Sequence, residues 1–209
     1  MLQFTDVQKS YGTKKLLDIP SLKLPGGIYW LQGANGTGKT SLLRMLAGIL
    51  PFDGSIQLQG LELRKDPVAY RRSIGWADAE PIYPDFLTGE NLLNFYRDIQ
   101  KPRPGQVDEL IDCLRVSPWL GSKTATWSAG MCKKVSLLLA FIGDAALITL
   151  DEPLVTLDVQ GVTALYTLIL DRRRQYGTSF ILSSHQDIPE QALSTIQRLM
   201  LVNQSIKWV

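Results

Sequence analysis

Three glycines, a lysine and a threonine fall at fixed spacing in the run Gly33-Ala34-Asn35-Gly36-Thr37-Gly38-Lys39-Thr40, which reads Gly-x-x-x-x-Gly-Lys-Thr. Glycine at 33, 36 and 38 lets backbone N–H groups turn toward an anion with no Cβ in the way. A helix opening at this point adds the positive end of its dipole. The Lys39 ammonium would reach the β- and γ-phosphates of a nucleotide, and the Thr40 hydroxyl, with Ser41 beside it, would meet Mg²⁺. The chemistry indicated is nucleotide binding.

A second group of residues could act on what the loop holds. Asp151-Glu152 follows the apolar run Ala145-Ala146-Leu147-Ile148-Thr149-Leu150. A carboxylate at the C-terminal end of a parallel strand, next to a phosphate loop, is placed to hold Mg²⁺ or its waters. Its neighbour would orient and deprotonate a water for attack on the γ-phosphate. His185, the only histidine, follows another apolar run, Thr178-Ser179-Phe180-Ile181-Leu182-Ser183. A neutral imidazole there would hydrogen-bond the γ-phosphate.

The flanking sequence supplies elements to carry these groups. Gly27-Ile28-Tyr29-Trp30-Leu31-Gln32 reads as a buried strand entering the loop, and Ser41 to Ala47 as the helix leaving it, with Gly48 as a stop. Residues 2–9 and roughly 15–24 read as two strands around a turn at Tyr11-Gly12-Thr13. Pro51-Phe52-Asp53-Gly54 predicts a turn, and 55–59 alternates like an edge strand. Thr88 is placed to cap a helix from Gly89 to Asp98. Val107, Leu110, Ile111 and Leu114 mark a second helix, and Ser128 caps a third. A helix through Val162, Leu165, Tyr166 and Ile169 ends in three arginines and Gly177. Residues 199–202 and 205–208 predict a hairpin around Asn203-Gln204.

This pattern predicts an α/β fold: a P-loop core with a mostly parallel sheet, a small antiparallel β subdomain and an inserted α-helical subdomain. One domain is expected, with residues 1–75 and 136–209 as core and about 76–135 as the helical part. The 209 residues are 45% hydrophobic, enough for such a core, and a net charge of +2 gives no argument for nucleic acid. The basic clusters Arg71-Arg72, Lys133-Lys134 and Arg172-Arg173-Arg174 read as solvated helix faces. Cys113 and Cys132 form no metal or redox motif and suit reduced, cytosolic thiols. No stretch is long and apolar enough to span a bilayer, so any membrane connection would come through a partner.

With these residues in place, the chain resembles the ATP-binding subunits of ABC transporters along its whole length. In that resemblance residues 33–40 match Walker A, 147–151 with Glu152 match Walker B and its catalytic glutamate, and Tyr11 matches the aromatic residue that stacks on adenine. Val155-Thr156-Leu157-Asp158 matches the D-loop and Ser184-His185 the switch histidine. Trp127-Ser128-Ala129-Gly130-Met131 lies where the signature Leu-Ser-Gly-Gly-Gln is expected. The resemblance implies ATP and Mg²⁺, a head-to-tail dimer in which Ser128 and Gly130 grip the partner's nucleotide, and separate transmembrane subunits. It places the chain in the cytoplasm, on the inner face of the membrane. Residues 74–76, 83–85 and 90–92 are similar to exporter-type subunits, and Ser-Ala-Gly to the haem-exporter subunits of cytochrome c maturation.

The sequence departs from that pattern at three places. The signature has Trp127, Ala129 and Met131 in place of Leu, Gly and Gln. No glutamine lies between Ile74 and Pro84, leaving Asp78, Ala79 or Glu80 at the Q-loop position; Glu80 is preferred, as a ligand to Mg²⁺ or its water. Lys133-Lys134 stands where an arginine is common. A half-active partner in a heterodimer, a non-catalytic nucleotide-gated module and a small-molecule kinase are the rival readings.

Overall fold

A computed structural model describes residues 1–184 and 195–209. The chain opens with β1 (Leu2–Tyr11), β2 (Lys14–Leu24), β3 (Ile28–Gln32) and α1 (Lys39–Leu46). Then come β4 (Asp53–Leu58), β5 (Leu61–Glu62), α2 (Pro67–Arg72) and β6 (Ile74–Ala77). Three helices follow, α3 (Gly89–Gln100), α4 (Gln106–Leu114) and α5 (Ala129–Ala140), with two short 3₁₀ turns between α4 and α5. The chain closes with β7 (Leu147–Asp151), α6 (Val159–Tyr176), β8 (Ser179–Ser183), β9 (Ile196–Val202) and β10 (Ser205–Trp208).

The strands form two sheets. The larger has the order β10-β9-β3-β8-β7-β6, parallel from β9 to β6, with β10 antiparallel at one edge. Its central strands are mostly apolar because both faces are covered. Ile28, Trp30, Ile148, Leu150, Phe180 and Leu182 pack on one side with α3 to α6. Tyr29, Leu31, Leu147 and Ile181 pack on the other with α1 and the smaller sheet. Alternation along each strand thus feeds two cores at once.

The smaller sheet is antiparallel, β2-β1-β4-β5. The segment expected at an edge, residues 55–59, lies inside it: β4 pairs with β1 on one side and with the two-residue β5 on the other. That strand also starts at Asp53, within the expected turn. The hairpin expected at the end of the chain is present. Asn203 and Gln204 both have positive φ, 48° and 65°, as a tight two-residue connection requires.

The helix caps follow the sequence. Thr88 Oγ1 accepts the Asn91 N–H and Asn91 Oδ1 accepts the Thr88 N–H, closing a capping box on α3. The helix face expected at Arg71-Arg72 belongs to α2, which opens on Pro67 and ends at Arg72. Strands β5 and β6 were not anticipated; β6 joins the sheet beside β7. Strand β6 reaches Ala77, and α5 runs unbroken across residue 135. It packs directly on β6, where a Cβ on Gly75 would lie 2.1 Å from the Ala140 carbonyl oxygen.

The basic clusters do not all face solvent. Arg71, Arg72 and Arg174 are exposed, but Lys133 and Arg172 are buried. The Arg172 guanidinium donates to the Phe141 carbonyl at 3.0 Å, closing the C-terminal end of α5. Reading either of these side chains as solvated is therefore incorrect, because each satisfies backbone carbonyls inside the fold.

Candidate functional site

Parallel strands deliver their C-terminal ends to one edge of the sheet, and the reactive residues collect there. Leu31 is level with Ser183, Ser183 with Asp151, and Leu150 with Ala77. The loop after β3, the turn after β7, the end of β8 and the loop after β6 are therefore neighbours.

The loop from 33 to 38 has the conformation its glycines permit. Gly33 and Gly38 have φ of 155° and 106°, which side chains rarely adopt, and Gly38 is the N-cap of α1. At Gly33 there is also no room, since a Cβ would sit 2.9 Å from the Leu201 carbonyl oxygen. Lys39 Nζ donates to the carbonyls of Gly33 and Ala34 at 2.7 and 3.1 Å, and Thr37 Oγ1 donates to the Ala34 carbonyl at 2.9 Å. Burial lowers the Lys39 ammonium from its ordinary value, while Glu152 and Asp151 pull it back up.

A cavity of about 480 Å³ opens on this loop. It is lined by Tyr11, Asn35, Gly36, Gly38, Lys39, Thr40, Ser41 and Glu152, together with Leu16. Tyr11 is 54% exposed, and the Lys9 ammonium lies 5.0 Å from its ring centroid. Residues from the first strand, the phosphate loop and the turn after β7 thus face one space. Its volume falls in the range that takes a small ligand.

The carboxylates are held from the adjacent strand. Asp151 is 1% exposed, and its Oδ1 accepts from Ser183 Oγ at 2.5 Å. Ser183 Oγ in turn accepts the Glu152 N–H at 3.1 Å. Glu152 has φ 44°, unusual for a residue with a side chain, and is half-buried at the cavity wall. Asp151 Oδ2 is buried and has no hydrogen-bond partner among the described residues. An ionised oxygen left this way is costly unless a cation meets it. Thr40 supplies a hydroxyl on the cavity wall, so these residues fit a Mg²⁺ shared with phosphate oxygens. Among the described residues no group of three His, Cys, Asp or Glu could hold a metal without such help.

Ser183 was missed in the sequence, and Lys133, noted there only as a cation where an arginine is common, was not placed in the site. Ser183 is fully buried at the end of an apolar run, level with Asp151, and a polar residue at that register was the available signal. Lys133 Nζ reaches the carbonyls of Asp78 and Ala79 at 2.8 and 2.6 Å, and those of Asp151 and Glu152 at 3.4 and 3.2 Å. Burial pulls its ammonium down to about 8, against the attraction of Asp151, Asp78, Glu152 and Glu80.

The other expected residues lie elsewhere. Glu80 is exposed and does not line the cavity; its N–H faces Asp78 Oδ1 at 3.4 Å. Asp78 pairs with Arg44 of α1 at 3.0 Å. Ser128 is the N-cap of α5, accepting the Met131 N–H at 3.2 Å, while its own N–H meets Met131 Sδ at 3.5 Å. Trp127 donates to Ser122 Oγ and packs edge-on against Tyr83. Ser128 and Gly130 do not line the cavity, and a Cβ on Gly130 would lie 3.0 Å from the Thr156 carbonyl oxygen. Asp158 caps α6, its Oδ1 accepting the Gly161 N–H at 2.7 Å and its Oδ2 pairing with Lys134 at 3.2 Å. Those contacts hold its carboxyl below the ordinary value, the backbone N–H most. His185 lies outside the described residues; Trp30 Nε1 donates to the carbonyl of Ser184 just before it.

Comparison with known proteins agrees with this geometry. A family model described as "ABC transporter" matches residues 17–155. The cytochrome c biogenesis ATP-binding export protein CcmA of Legionella pneumophila (strain Lens) is 32% identical over 192 residues, covering 90% of this chain and 94% of that protein. CcmA 2 of Salmonella paratyphi A is 33% identical over 207 residues, covering 96% and 97%. A solved ATP-binding subunit of an ABC transporter has a TM-score of 0.87 at 25% identity, over 99% of this chain and 88% of that one. A dimeric ATP-binding cassette in a post-hydrolysis state, bound to ADP and Pi, shares the fold with a TM-score of 0.82 at 18% identity, over 99% and 97%. The phosphate loop, the carboxylate turn and the two-sheet fold that joins them thus place this chain in the ABC transporter family, as one of its ATP-binding subunits.

Proposed function

We propose that the chain hydrolyses MgATP as a dimer and drives separate membrane subunits. The observation that carries this is the cavity joining Tyr11, the loop at 33–41 and Glu152. Tyr11 offers an exposed ring for the adenine face. The N–H groups at 36 and 38–41, the start of α1 and Lys39 would bind the phosphates. Thr40 and Asp151 would hold Mg²⁺, which would offset phosphate charge during transfer, and Glu80 would reach it through a water. Glu152, fixed at its amide by Ser183, would orient and deprotonate the attacking water, with His185 on the γ-phosphate.

A dimer would complete the site. Ser128 and Gly130 open α5 away from the cavity and beside the loop carrying Thr156 and Asp158. Val155, Thr156, Asp158 and Val159 are exposed there, a surface for a second copy. The membrane partner would meet the helical part near residues 76–100, within a subdomain of about 76–135 set against the core of 1–75 and 136–209. Between them lies an apolar cavity of about 520 Å³, lined by Ile49, Val68, Trp76, Phe95, Ile99 and Leu139. Among the described residues no helix is long and apolar enough to cross a membrane, which accords with a subunit held at the cytoplasmic face by partners. The CcmA relatives, which are export proteins, support an export role.

Steady-state MgATP hydrolysis against protein concentration tests this, with Glu152→Gln as control. Specific activity should rise with concentration and fall at least about 100-fold in the control, with MgATP binding retained. Unchanged turnover in Glu152→Gln would remove that residue from the reaction. One observation favours a second reading: Met131 Sδ is turned back into its own helix cap. A chain that binds MgATP but is inactive at every concentration would be half of a heterodimer whose partner supplies the signature.

A further inference from the structure

Glu152 is held at both of its peptide groups. Its N–H is fixed by Ser183 Oγ at 3.1 Å and its carbonyl accepts from Lys133 Nζ at 3.2 Å. The residue sits at φ 44°, a conformation that persists only where the surroundings over-determine it. Ser183 comes from β8 and Lys133 from α5, so two different elements close on one residue.

Lys133 does more than neutralise charge. Its side chain is 1% exposed, yet among the described residues its hydrogen bonds go to no carboxylate; they go to four backbone carbonyls. An ammonium has three N–H donors, so four carbonyls within 3.4 Å share them. What these bonds fix is backbone. Two of the carbonyls belong to the turn carrying Asp151 and Glu152, and two to the loop after β6. That loop places Asp78 in a small cavity whose lining shares Trp76, Tyr96 and Leu139 with the apolar groove. One buried cation therefore ties the groove side of the subunit to its carboxylate turn. It stands five residues from Ser128 on the same helix.

We propose that Lys133 is a positioning residue for hydrolysis: it locks the Asp151-Glu152 turn to the Asp78-Ala79 loop, and so sets the aim of the Glu152 carboxylate. This rests on the reading of the chain as an ATPase. Removing the ammonium frees the Glu152 carbonyl and lets the carboxylate drift. A displacement near 1 Å is enough to slow a positioned reaction about 100-fold. The phosphate loop, bound to a different strand, is left intact.

The test compares wild type with Lys133→Met, which keeps the length of the side chain and loses its charge. Expected are a kcat lower by about 10- to 100-fold, a KM for MgATP within about threefold, and a melting temperature lowered by the lost hydrogen bonds but still raised by MgATP as in wild type. ATP-driven dimerisation of Lys133→Met/Glu152→Gln, read by size exclusion, should match that of Glu152→Gln alone. A kcat within twofold of wild type overturns the proposal. So does a parallel collapse of kcat, MgATP binding and melting temperature, which would make Lys133 structural only. If Lys133→Met does not fold, Lys133→Gln is held to the same criteria, and failure of both to fold also overturns it. A wild type inactive on its own would instead refute the homodimeric ATPase reading on which this proposal rests.

Discussion

Ser183 and Asp151 stand side by side on adjacent parallel strands, and the serine hydroxyl donates to the buried carboxylate at 2.5 Å. The same oxygen accepts the N–H of Glu152 at 3.1 Å. One hydroxyl thus uses its donor on the carboxylate placed for Mg²⁺ and a lone pair on the residue placed as base. The Asp151 carboxylate and the Glu152 backbone are thus fixed by one neighbour with no charge of its own, which leaves Asp151 Oδ2 open to a cation.

Ser183→Ala removes both bonds at once. The loss of a buried hydrogen bond to a charged group should lower stability by about 2 kcal/mol. Turnover should fall more than MgATP affinity, and the free Mg²⁺ needed for half-maximal rate should rise. Hydrolysis measured across a Mg²⁺ titration checks this, and an unaltered Mg²⁺ dependence would limit Ser183 to packing.

Met131→Gln should strengthen the start of α5. Sulfur is a weak acceptor for the Ser128 N–H, and an amide oxygen at the same position accepts better. The melting temperature should rise by the equivalent of about 0.5 kcal/mol. Turnover should also rise, because the amide adds a polar group at the end of the helix facing the proposed dimer partner. A higher melting temperature with identical turnover would confine residue 131 to the cap.

Asp158→Ala should cost about 1 kcal/mol through loss of the α6 cap. The pH dependence has a definite sign. The Gly161 N–H and Lys134 hold the Asp158 carboxyl below its ordinary value of 3.8, so its contribution is present above that value. It is lost as pH falls through the lower, folded value, where the folded state must take up a proton. Denaturation from pH 7 down to 2 should therefore show wild type and variant converging in stability below pH 4. A constant difference over that range would exclude the ionised cap.

Much of the fold could be read before the structure. Apolar runs ending in Gly33 or Asp151 mark strands buried on both faces, and Thr88 and Ser128 announce helices because their side chains complete the first turn. Four residues of β6 carry no alternation to distinguish them from a loop, and only pairing with β7 makes them a strand. β4 becomes an inner strand through a two-residue neighbour too short to register as a period. Lys133 was illegible for another reason. Its carbonyl partners lie 18 to 55 residues away in sequence, and a Lys-Lys pair on a helix gives no sign that one member turns inward.

The missing side chain at Gly75 has a mechanical consequence. The Ala140 carbonyl lies so close to β6 that no side chain fits at residue 75. A tilt of α5 would therefore pivot on that end. Ser128 caps the opposite end, twelve residues away, or about 18 Å along a helix axis. A tilt of about 4° at the Gly75 fulcrum swings Ser128 through about 1 Å, on the order of the rise of one helical residue. The helix is a lever whose short end lies on the sheet and whose long end carries the serine.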